Sequence, residues 1–148
     1  MAISCVPFSE PKLKEVQQLL NLLPPENRSF FRPSLYRDTW LWIDSASDNA
    51  VGMVIFSPCQ LFPEYYPLRP SERVMMECLI VQKGHNLRHL FRLFYRQYDF
   101  SRVFFPLMLI AHPATLQGMK LDKRLGFQPY TGNLLFYYAK DKESLPLS

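Results

Sequence analysis

The chain has 148 residues, 48% of them apolar, which supports a real hydrophobic core and excludes disorder as the general state. Its formal net charge is only +4. The longest apolar run, Val103 to Ala111, contains Pro106 and falls far short of the roughly 20 residues that cross a membrane.

Ile3 to Val6 reads as a short strand ending at Pro7. Ser9 then caps a helix with Pro11 in its first turn. Leu13, Val16, Leu19, Leu20 and Leu23 recur at helical spacing until Pro24 and Pro25 stop it. Residues 26–37 form a second short helix or turn, broken at Pro33. Thr39 to Ile43 reads as a strand, Asp44 to Asn49 as a hairpin turn, and Val51 to Phe56 as the partner strand. From Pro58 to Glu72 the chain holds four prolines with Phe62, Tyr65 and Tyr66. Such a loop is either functional or a spacer stiffened by proline.

Arg73 to Val81 is an apolar strand with one charge in it, Glu77. Gln82 to Tyr98 is the clearest helix. Leu87, Leu90, Phe91, Phe94 and Tyr98 share one side of it, and His85, Arg88, His89, Arg92 and Arg96 the other. Val103 to Ala111 is a buried strand that starts properly after Pro106. Pro113 opens a last helix, closed near Leu125 by Gly126. A Thr131–Gly132–Asn133 turn precedes the final strand, Leu134 to Ala139. This order predicts a mixed α/β sheet in a single domain over residues 1–140, followed by a short polar tail at 141–148.

Charge is unevenly placed. Residues 83–124 carry 8 basic and 2 acidic side chains, against 7 and 9 in residues 1–82. The excess points to an anionic ligand, a phosphate-bearing cofactor or a nucleic acid, or else is a solvated basic face. Glu77 is the most informative charge, because burying a carboxylate is costly unless it is paired or used. It is a candidate general base, or else a salt-bridged or water-facing edge residue. His85 and His89 have a spacing that can bind a metal, but no Cys or carboxylate stands near in sequence to complete a site, so no metal is expected. Nor is there a P-loop, a paired-glycine dinucleotide turn or a hydrolase motif. Cys5, Cys59 and Cys78 are odd in number and lack metal spacing, and MAISCVPFSEPK does not read as a secretory signal. A reducing, cytoplasmic setting is the expectation.

Two segments carry a family resemblance: RVMMECLIVQKGHNLRHLF, from Arg73 to Phe91, and GMKLDKRLGF, from Gly118 to Phe127. Together they resemble the GNAT family of N-acetyltransferases. There a strand feeds a pyrophosphate-binding turn at a helix N-terminus, and a later helix ends in a Leu–Gly–Phe signature, here Leu125–Gly126–Phe127. The resemblance covers residues 73–139, and the first half fits by element order.

It implies a GNAT-like mixed, mostly antiparallel sheet with helices on both faces. The ligand site would be a V-shaped gap between strands 73–81 and 103–111. Acetyl-CoA would be the co-substrate, its pantetheine arm on the backbone of Leu79, Ile80 and Val81. Its phosphates would meet the turn formed by Lys83, Gly84, His85, Asn86, Leu87 and Arg88. The acceptor would be an amine on a small molecule or a protein, entering near Trp40, Trp42 and the Pro58–Glu72 loop. Glu77 would take the amine proton, as a glutamate on this strand does in several of these enzymes.

The chain departs from the family pattern at three positions. Lys83 keeps the basic start of the turn, but Asn86 and Arg88 stand where small residues are usual. Asp122 stands where a tyrosine often protonates the leaving thiolate, a role for which Tyr137 and Tyr138 are substitutes. The alternatives are a non-catalytic binding or regulatory protein on the same fold, and a nucleic-acid-binding protein using the basic helix 83–98.

Overall fold

A computed structural model of the chain describes residues 2–58, 73–103, 105–130 and 132–148. All but the first residue of the proline-rich Pro58–Glu72 loop lies outside the described residues. Its strands are β1 (Ile3–Pro7), β2 (Thr39–Asp44), β3 (Asn49–Pro58), β4 (Arg73–Val81), β5 (Leu107–Ala111), β6 (Gln128–Pro129) and β7 (Leu135–Ala139). They form one sheet in the order β1-β2-β3-β4-β5-β7-β6. Only β4 and β5 pair parallel; the other neighbours are antiparallel. The expected mixed, mostly antiparallel sheet is present.

Side chains alternate across the strands, so the sheet buries two separate layers. Leu41, Ile43, Met53, Ile55 and Ile80 pack with Val16, Leu19 and Leu20 of helix α1 (Leu13–Leu20). Trp42, Val54 and Phe56 pack with Leu90, Phe91, Phe94 and Tyr95 of helix α2 (Leu87–Gln97). Helices therefore cover both faces. Helix α3 (Leu116–Arg124) joins the second layer through Met119. No helix among the described residues is long and apolar enough to cross a membrane.

Several elements differ from the sequence reading, each for a local reason. The first helix begins as a 3₁₀ turn, Glu10–Lys12, and the Ser9 side chain makes no cap bond. Residues 26–37 form no α-helix. Two 3₁₀ segments, Pro25–Phe30 and Pro33–Asp38, stand there instead, because closely spaced prolines remove donors and disfavour helix before them. The last helix starts at its Thr115 cap rather than at Pro113, with the Thr115 hydroxyl accepting from the Gly118 amide at 2.9 Å.

The segment read as a polar tail packs against the body of the protein. Leu145 is 2% exposed within the α2-side layer. The Tyr95 hydroxyl donates to the Pro146 carbonyl, and the Tyr137 hydroxyl to the Ser144 carbonyl. Leu145 and Leu147 supply the apolar contacts that the surrounding polar residues conceal in the sequence.

Candidate functional site

The parallel pairing of β4 with β5 runs from Arg73 opposite Leu107 to Glu77 opposite Ala111, and there it ends. β4 continues for four more residues, Cys78 to Val81, bonded on its other edge to β3. β5 stops at Ala111, and the chain turns off through His112 and Pro113. The two strands thus part into a fork. Glu77 occupies the last shared rung, its backbone opposite Phe56 on β3 and Ala111 on β5. Beyond that rung, the backbone of residues 78–81 presents an edge that β5 does not cover.

The β3 side of this edge is held unusually close. Gly52 pairs with Val81, and a Cβ at Gly52 would lie 2.8 Å from the Ile80 carbonyl oxygen and 3.0 Å from Trp42 Cε3. Only glycine fits there. The register between β2 and β3 also shifts at Trp42/Ile43, where Val51 is the extra residue. Its carbonyl accepts from the Gln82 amide at 2.9 Å, which pins the chain as it leaves β4.

The turn after β4 is built differently from the sequence reading. Helix α2 starts at Leu87, not Gln82, and Asn86 is its cap. Asn86 has extended backbone, φ −78°, and its side-chain oxygen accepts from the His89 amide at 3.2 Å. The left-handed residue is Gly84, φ +92°, a conformation glycine adopts without strain. The first intrahelical bond runs from the Leu90 amide to the Asn86 carbonyl. The amides of Leu87 and Arg88 precede it and project from the positive end of the helix, a ready anion site. Lys83 and Arg88 are exposed beside them.

The two tryptophans expected near the acceptor both pack against α2. Trp42 is fully buried, and its indole Nε1 donates to the Leu90 carbonyl of α2 at 2.7 Å. Trp40 packs its ring on Phe94 and Tyr98, also on α2. Trp42 is a core residue and Trp40 a partly buried one beside it, because this face of β2 turns toward the aromatic side of α2.

The Leu125–Gly126–Phe127 signature has a plain structural meaning. Phe127 donates to the Asp122 carbonyl and Gly126 to the Lys123 carbonyl, the paired bonds that close a helix through a left-handed residue. Gly126 has φ +106°, and a Cβ there would come within 3.0 Å of the Tyr137 ring. Phe127 packs on that same ring, with centroids 5.4 Å apart. Tyr137 is thereby committed to the C-terminal segment through its hydroxyl, while Tyr138 is 52% exposed.

Asp122 is the residue sequence reasoning undervalued. It is 8% exposed, and among the described residues no side-chain hydrogen bond or ion pair reaches its carboxylate. Burial pushes its pKa up from 3.8 to about 6, and its place in the last turn, at the negative end of the helix, acts in the same direction. The signal in the sequence was its helical phase: it lies three residues from Met119 and three from Leu125, both packed against the core.

No family model and no curated protein matches the chain. Solved structures do. Arabidopsis thaliana NAA60 in complex with acetyl-CoA is similar at 13% identity and a TM-score of 0.59, over 93% of this chain and 98% of that one. N-acetylglutamate synthase from Neisseria gonorrhoeae, complexed with coenzyme A and N-acetyl-glutamate, is similar at 14% identity and a TM-score of 0.62. That match covers 95% of this chain but only 36% of the synthase. An acetyltransferase of the GNAT family from Streptococcus agalactiae is similar at 13% identity and a TM-score of 0.54, over 95% of this chain and 96% of that one. At these identities the likeness is one of fold. The chain has the fold of the GNAT acetyltransferases.

Proposed function

We propose that the protein is an N-acetyltransferase that moves an acetyl group from acetyl-CoA to an amine on a small molecule or a protein. The observation that carries this reading is the fork. Among the described residues it sets a backbone edge that β5 does not cover, the backbone of Glu77 at the last shared rung and a helix N-terminus along one short stretch of chain, from Glu77 to Arg88. Acetyl-CoA, when bound, supplies the activated acetyl group. Residues 79–81 would hold its arm through their backbone. The amides of Leu87 and Arg88, with the exposed Lys83 and Arg88 side chains, would hold its phosphates. The neighbours solved with acetyl-CoA and coenzyme A support this cofactor choice.

Glu77 would accept the amine proton, directly or through water, as the nitrogen bonds to the acetyl carbon and the thiolate leaves. Most of the acceleration would come from holding the two reactants in line. A second reading, a binding protein without turnover, rests on Asp122. With a pKa of about 6, only about a tenth of this carboxyl is protonated at pH 7, so it is a poor donor to a thiolate. Calorimetric titration with acetyl-CoA, followed by coenzyme A release across a panel of amines, tests both. Binding with release is the expected result. Binding without release for any amine favours the second reading, and no heat at millimolar ligand removes the transferase reading.

A further inference from the structure

We propose that the outer face of α2, beyond the cofactor turn, docks the sugar–phosphate backbone of a nucleic acid, with Arg92 and Arg96 as its phosphate contacts. Arg88, His89, Arg92 and Arg96 are all exposed. Among the described residues none of the three arginines has an ion-pair partner, whereas Lys12 and Asp48 do pair, at 2.8 Å. From Lys83 to Tyr98 there is no acidic residue at all. A helix face normally interleaves acids with bases four apart, because like charges at that spacing repel. Arg88, Arg92 and Arg96 stand at that spacing, so the row weakens the helix unless an external anion neutralises it.

Position separates this row from the cofactor. Arg96 lies about 15 Å along the helix axis from the Asn86 cap, too far for a phosphate held at the N-terminus to neutralise it. Each step of the row rises about 6 Å, a regular stride suited to the regular phosphates of a nucleic-acid strand. The planar guanidinium fork also matches phosphate oxygens bidentately.

Other polyanions fit less well. The exposed large apolar residues among those described are Leu22, Leu116 and Tyr138, and none is on α2. The face therefore offers nothing to insert into a lipid surface and no apolar anchor for a protein partner. It also lacks an exposed Phe, Tyr or Trp on which a base could stack. Contact with the backbone, largely independent of sequence, is what remains.

The test is fluorescence anisotropy with a short labelled duplex and its single strand, titrated between about 50 and 200 mM salt. The wild type is expected to bind, with affinity falling steeply as salt rises. Arg92→Ala with Arg96→Ala should weaken binding at least tenfold and lower the log–log salt slope by about 2. Alanine favours helix, so the fold is kept, and Arg92→Glu with Arg96→Glu should abolish binding. The acetyl-CoA melting shift, read on the same variants, should not change. Loss of that shift in the wild type would overturn the transferase reading alone. No binding of either nucleic acid at low salt, an unaffected double variant, or tighter binding to phosphatidylserine vesicles or an acidic peptide would overturn this one.

Discussion

Replacing Asp122 by Asn should stabilise the protein at neutral pH and leave it unchanged in acid. Burial holds the Asp122 proton more tightly in the folded chain than in the unfolded one, lifting its pKa from 3.8 to about 6. The folded state then binds the extra proton between about pH 4 and 6, so stability falls as pH rises through that window and stays lower above it. At 1.36 kcal/mol for each unit, the ionised carboxylate costs about 3 kcal/mol at pH 7. Asparagine has nearly the same shape and no charge to desolvate. For a chain of this size the gain corresponds to roughly 6–12 °C in Tm at pH 7, shrinking toward zero below pH 4. Burial also raises the pKa of Asp38, with Arg37 pulling it back down, so the wild-type pH profile mixes several groups. The difference between variant and wild type, from denaturant melts at matched pH, isolates Asp122. A difference that does not vary with pH, or a variant less stable at pH 7, would refute the argument.

Three further outcomes are expected. Glu77→Gln should keep acetyl-CoA affinity while turnover falls by about two to four orders of magnitude; unchanged turnover in a coenzyme A release assay removes Glu77 from the chemistry. Gly52→Ala should cost about 1–3 kcal/mol in a urea melt, because its Cβ meets the Ile80 carbonyl at 2.8 Å, and an unmoved midpoint would contradict that contact. Burial pushes the Cys5 thiol up to about 12, so iodoacetamide at pH 8 should leave Cys5 unmodified until the protein is unfolded. Peptide mapping by mass spectrometry reads the result, and rapid labelling of the native protein would speak against the packing.

What was legible in the sequence is what depends on periodicity. Alternation marked β2, apolar runs marked β4 and β5, and the helical phase of Leu90, Phe91 and Phe94 marked the buried side of α2. Two-residue strands such as β6, with both residues exposed, carry no such pattern. Helix starts were missed for a related reason. Asn86 and Thr115 are ordinary caps, but polar residues upstream of each, Lys83 to His85 and His112 to Pro113, are equally compatible with a first turn. The tryptophans misled because a strand's pattern fixes which residues share a face and not which helix covers it. Trp40 and Trp42 share the face under α2, and the Trp42 indole donates to the Leu90 carbonyl.

The turn after β4 differs from the family motif in where its left-handed residue stands. A helix start offers an anion site through the free amides that its cap leaves facing outward. The family pattern has a small residue at the position Asn86 holds. Here the left-handed residue is Gly84, two places earlier, and nothing lies within 4 Å of where its Cβ would be. Asn86 is thus released to act as a cap and takes the His89 amide, leaving those of Leu87 and Arg88 to face outward. The exposed Arg88 side chain adds charge near those amides. With the left-handed residue at Gly84, position 86 has extended backbone and holds a side chain that bonds the His89 amide.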